Sequence, residues 1–253
     1  MIRNHTLEYP MMDHKRKVQV ILPKNYDKSK KYPVLYMHDG QNLIEPSPHS
    51  GESWDILNQP LKDKMIIVGL FDEDQRMQDY APWPMDLKNH KAQGDIYATR
   101  LMEKVMPYIK DTDATSIQVF LAGSFMGGLI TVYTSLKYPG IFDCIGVFSL
   151  ASWSNETEFI NYVKNKNFDK NQKIYIQVGT QEAHELEGYD FGDMDMNQVY
   201  VDLSLNFYQM CRDKYMKHLE LHVFEKETHS EKSWAKHLNL FLEFCLKDNN
   251  EGA

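Results

Sequence analysis

The chain has 253 residues, of which 42% are hydrophobic and 25% charged, with 28 basic and 36 acidic side chains giving a formal charge of −8. That balance excludes a disordered or collagen-like chain and argues against nucleic acid as a partner, which a basic face would serve. There is no apolar run long enough for a membrane span, and three cysteines (Cys144, Cys211 and Cys245) are too few for a disulfide framework.

Residues 1–7 are polar and carry no signal-peptide core, so a cytoplasmic, reducing location is expected, with the cysteines as small buried residues. Apolar alternation predicts a strand over 17–22, and strands apolar on both faces over 32–38 and 65–70. A helix is expected over 95–108, a strand over 116–121 and a helix over 129–138 stopped by Pro139-Gly140. Further strands are expected over 144–150, 173–178 and 218–224, with helices over 199–216 and 233–247. Strands apolar on both faces lie between layers. Their alternation with helices predicts an α/β fold: one doubly wound domain over 1–253, its mostly parallel sheet covered by helices on both faces. In such a sheet the site lies beyond the carboxyl ends of the strands.

The turn after the strand over 116–121 reads Leu121-Ala122-Gly123-Ser124-Phe125-Met126-Gly127-Gly128. A strand-to-helix turn with this spacing of glycines has the form of a nucleophile elbow, where flanking side chains would collide with strand and helix. Together with YPVLYMHDGQN at 32–42, RMQDYAPW at 76–83, SLASW at 149–153, VGTQE at 178–182 and HSEKSW at 229–234, it resembles the putative-esterase family of α/β-hydrolases. That family includes siderophore esterases, feruloyl and acetylxylan esterases, the tributyrin-esterase type and S-formylglutathione hydrolases. The resemblance implies an α/β-hydrolase fold, acyl transfer through a Ser-His-acid triad, a small-molecule ester as substrate, and no cofactor or metal.

One position departs from the family pattern. The family's elbow is Gly-Ser-Ser-Met-Gly-Gly with the second Ser as nucleophile, and here that position is Phe125. A phenyl ring can neither attack a carbonyl nor give a proton to a base. Ser124 precedes the apex, where a side chain points into packing; service as a displaced nucleophile or against substrate is its other reading. The resemblance makes His229 the base and Glu182 the triad acid, in the nucleophile-acid-base order of the fold. Glu185, Glu187 and Asp190 are alternative acids nearby. The oxyanion N–H groups fall to Met126 and Gln41, with Gly40 allowing close approach and His38 and Asp39 shaping the loop.

Trp153, Trp83 and Tyr80 are candidate pocket walls, with core packing as the competing role, and Arg76 either meets substrate or ties its loop by an ion pair. Residues 181–197 hold six carboxylates (Glu182, Glu185, Glu187, Asp190, Asp193 and Asp195) and no Lys or Arg. Gln198 and Ser204 stand where a calcium loop starting at Asp193 needs Gly and Glu. A solvated acidic loop that disfavours anions is therefore expected. Two functions compete: an ester hydrolase, and a pseudoenzyme that binds a ligand or partner in the retained pocket, which the apex Phe125 favours.

Overall fold

In the computed structural model the described residues are 1–7, 16–48, 50–72, 75–85, 91–113, 115–185 and 193–247. Eight strands form one sheet in the order β1-β2-β4-β3-β5-β6-β7-β8. The edge strand β1 (Ile2–Leu7) pairs antiparallel with β2 (Arg16–Ile21), which pairs antiparallel with β4 (Ile66–Leu70). From β4 onward the pairs are parallel: β3 (Tyr32–His38), β5 (Thr115–Ser124), β6 (Cys144–Phe148), β7 (Lys173–Gln181) and β8 (His218–Thr228). β4 and β6 are buried at every position, as apolar runs on both faces require.

Helices cover both faces. On one side α2 (Gly94–Arg100), α3 (Met106–Thr112), α4 (Met126–Lys137), α5 (Glu156–Asn165) and α6 (Met196–Asp213) close a core containing Tyr97, Ile109, Ile130, Phe159 and Phe207. On the other, α7 (Glu231–Leu246) lays Leu238, Phe241 and Leu242 over Phe148 and Tyr175, joined by Trp54 and Ile56. Full burial of each such side chain contributes about 1.5–3 kcal/mol.

The structure adds elements that the sequence expectations lack, among them β1 and α5. β1 alternates exposed and half-buried residues, so its apolar signal is weak. α5 is short and is started by Asn155, whose side chain accepts the Glu158 N–H at 3.1 Å. The helix expected over 95–108 is divided: a π turn at Leu101–Val105 separates α2 from α3. Chain direction away from the centre switches at β3, which lies between β4 and β5. The crevice at such a switch point is where open α/β sheets place ligands, and the loops after β3 and β5 are the Asp39–Asn42 and Gly123–Gly127 segments.

Candidate active site

The elbow is formed where β5 ends at Ser124 and α4 begins at Met126. Phe125 between them has φ 57° and ψ −122°, a region costly for any residue with a side chain, about 1–3 kcal/mol. The backbone around it is fully engaged: the Phe125 N–H donates to the Phe148 carbonyl at 2.9 Å, and its own carbonyl accepts the Gly128 N–H at 3.0 Å. The turn is so tight that a Cβ on Gly123 would lie 2.6 Å from the Gly127 backbone.

The Phe125 ring is 8% exposed and stands at the centre of the site. The His229 ring meets it edge to face at 5.2 Å, Trp153 lies 5.9 Å away, and the Arg76 guanidinium stands over it at 5.1 Å. Ser124 is buried in the strand and paired with Phe148. Trp153 is held by a hydrogen bond from its Nε1 to the Tyr200 hydroxyl at 2.9 Å, and Tyr200 packs on His229. Trp83 stands apart from this group, against Tyr133 and Tyr162, with no ring contact to Phe125, His229 or Trp153 among the described residues. Tyr80 is fully buried, and its hydroxyl accepts the Asp39 N–H at 3.0 Å.

Glu182 and His229 come together from the ends of β7 and β8. His229 Nδ1 lies 2.6 Å from Glu182 Oε2. The carboxylate is completely buried, and its other oxygen accepts from Ser149 Oγ and from the Gly179 N–H, both at 2.7 Å. Ser149 in turn accepts from Trp234 Nε1 at 2.8 Å. A buried carboxylate with three donors fixes the imidazole by its Nδ1 and turns Nε2 outward. Ser149, Trp234 and Tyr200 come from three separate segments; the first two stand in the SLASW and HSEKSW stretches, but the sequence assigns none of the three a role.

The loop after β3 begins at Asp39, which is left-handed at φ 55°. The following Gly40 packs so closely on β4 that a Cβ there would lie 2.4 Å from the Gly69 backbone. Gln41 is clamped by its side chain: Oε1 accepts the Asp72 N–H at 3.1 Å, and Nε2 donates to the Asp72 carbonyl and to Asp39 Oδ1, both at 3.3 Å. Asn42 reaches the histidine loop, donating to Glu231 Oε1 at 2.8 Å. Met126 opens α4, and a first-turn N–H has no carbonyl of its own helix to meet.

Arg76, in the short helix α1 (Arg76–Asp79), grips Asp39 bidentately through Nε at 2.7 Å and Nη2 at 2.9 Å. Burial works against its charge, but the Asp39 carboxylate outweighs that and holds its pKa above the ordinary value. Below the elbow, burial and the nearby Arg76 push His38 down to about 3, so this imidazole is neutral, with Nδ1 2.9 Å from the Tyr97 hydroxyl.

The acidic run is divided by the fold. Glu182 is internal and Asp195 caps α6, accepting the Asn197 N–H at 3.1 Å. Glu187 and Asp190 lie outside the described residues, as does the side chain of Glu185. The reading of all six as a solvated loop therefore fails for Glu182, whereas Asp193 and Asp195 are exposed.

A strained strand-to-helix elbow, a buried carboxylate–histidine pair and a loop after β3 are the parts of an α/β-hydrolase fold. The family model described as "Putative esterase" matches residues 10–244, and the chain belongs to that family. Two proteins of Bacillus subtilis are similar to it: YbbA, 24% identical over 69% of this chain and 73% of its own, and YjcH, 25% identical over 67% and 69%. Among solved structures, an IroE-like serine hydrolase from Shewanella oneidensis superposes with a TM-score of 0.75 at 21% identity, covering 97% of this chain and 79% of its own. The enterobactin esterase FES of Shigella flexneri, solved in the presence of enterobactin, gives 0.70 at 14% identity, covering 97% and 58%. At these identities the structures establish the fold.

Proposed function

We propose that this chain is a non-hydrolysing member of the esterase family, which binds a small carbonyl compound in the retained site without forming an acyl-enzyme. One observation carries the reading: the apex of the elbow holds Phe125, oriented by the elbow backbone toward His229. Acyl transfer needs a lone pair at that apex and a proton for the base to take, and a phenyl ring supplies neither. Ser124 offers no replacement, because it lies buried within the strand, behind the apex.

The surrounding machinery supports binding. In this reading the backbone N–H groups of Gln41, in the loop after β3, and of Met126, at the start of α4, would receive a carbonyl oxygen, and Trp153 and the Phe125 ring would give apolar contact. A ligand held this way meets an imidazole with no nucleophile to activate. The test is labelling of the native protein with a fluorophosphonate and assay with p-nitrophenyl acetate and butyrate. No covalent adduct and no turnover are expected. An adduct that Ser124→Ala abolishes would overturn the reading and make Ser124 the nucleophile.

A further inference from the structure

We infer that the site selects a small carboxylate anion over the corresponding neutral ester, with Arg76 as the residue that recognises the charge. The inference rests on the non-hydrolysing reading and names its ligand class.

Arg76 spans both halves of the site. Through Asp39 it is fixed to the loop that carries Gln41, and its guanidinium stands over the Phe125 ring at the elbow. The bidentate grip consumes Nε and Nη2. Among the described residues, the third nitrogen, Nη1, meets only the Met77 thioether at 3.9 Å, a weak acceptor. The side chain is nevertheless 22% exposed. A charged N–H donor is thus left without a strong acceptor, on a guanidinium that stands over the elbow residue. The Asp39 carboxylate cannot rotate to take it without giving up the fork geometry that favours bidentate pairing.

The neighbouring carboxylate does not compete. Glu182 is buried, and its oxygens are occupied by Ser149, Gly179 and His229. A ligand with two oxygens suits this arrangement. One oxygen would accept from the backbone N–H groups of the loop and elbow, and the other from Arg76 Nη1. A neutral ester brings one good acceptor and an alkoxy group that leaves Nη1 unanswered. Charge-assisted hydrogen bonds are about twice as strong as neutral ones. The ring matters as well: the guanidinium stands over Phe125 at 5.1 Å, a cation–π contact that helps hold Arg76 at the elbow.

Calorimetric titration of the native protein with butyrate and benzoate, against ethyl butyrate and methyl benzoate, tests the inference. The acids are expected to bind about tenfold or more tightly than their esters, a difference of about 1.4 kcal/mol. Arg76→Gln should erase that preference, bringing acid and ester affinities to within about twofold of each other. Removing Arg76 leaves Asp39 buried without its partner, so the pair Arg76→Gln with Asp39→Asn is the control for folding, checked by thermal melting. Equal binding of acids and esters, absence of acid binding up to about 10 mM, or a preference that survives in the folded double variant would each overturn it. Ester turnover by the native protein would instead overturn the non-hydrolysing reading, which is a separate result.

Discussion

Phe125 occupies a backbone position that few side chains tolerate, at φ 57° and ψ −122°. The turn is dictated by its flanks: Gly123 has no room for a side chain, and Phe148 and Gly128 bond the Phe125 backbone on both sides. The apex therefore presents whatever side chain it carries to His229, which is why one substitution can change the chemistry without changing the fold. Residues with a motif spacing were legible: the elbow, Glu182 after β7 and His229 after β8. Ser149 was not, because its role depends on contacts with Glu182 and Trp234 that only the folded sheet creates. Ser149→Ala leaves the Trp234 N–H and one Glu182 oxygen short of a partner in a buried place. A loss of about 1–3 kcal/mol is expected, read as a melting-temperature decrease of roughly 2–10 °C. An unchanged melting temperature would mean that the Glu182 carboxylate does not depend on this donor.

Among the elements, helices and strands with strong apolar runs matched their expected extents to within a few residues. β8 extends further than expected, to Thr228, where its polar end still pairs with β7. β1 was missed because its side chains alternate at the surface, and its pairing with β2 rather than its own composition makes it a strand. The π turn inside the expected 95–108 helix inserts an extra residue where Arg100 becomes buried, an effect of tertiary packing that periodicity does not encode. α7 is finished by a long-range partner: buried Lys173, at the start of β7, donates to the carbonyls of Phe244 at 3.1 Å, Cys245 at 3.3 Å and Lys247. A cation here satisfies carbonyls that have no helical partner and opposes the negative end of the helix. Lys173→Met should lower stability by about 1–3 kcal/mol in urea denaturation, and a more stable variant would show that burying the ammonium costs more than its bonds return.

On the scale of the whole molecule, the charge of −8 hides an internal arrangement. Arg16 bridges Asp72 at 3.0 Å and also pairs with Asp79, all three nearly or fully buried behind the loop after β3. Burial, then the neighbouring Asp79, pushes Asp72 up to about 8. An acid whose folded pKa lies above its unfolded value contributes stability that is complete below pH about 4 and lost as pH rises through about 8. His38, pushed down to about 3, acts in the opposite sense below its unfolded pKa of about 6.5, so the window above pH 7 isolates Asp72. Stability should fall between pH 7 and 9, and Asp72→Asn should flatten that fall. An equally steep fall in the variant would assign it to another group.

The same view joins fold and function. The site draws on Asp39, Arg76, Phe125, Glu182 and His229, from both halves of the sheet, and we propose that residues 1–253 form one α/β-hydrolase domain around it. Within it the central claim concerns a single atom that is absent at the elbow. It is tested most directly by measuring p-nitrophenyl butyrate hydrolysis in the native protein and in Phe125→Ser side by side. The base, acid and backbone donors already stand in place, so the variant should exceed the native protein by about 10²-fold or more. Native turnover equal to that of Phe125→Ser would contradict the account.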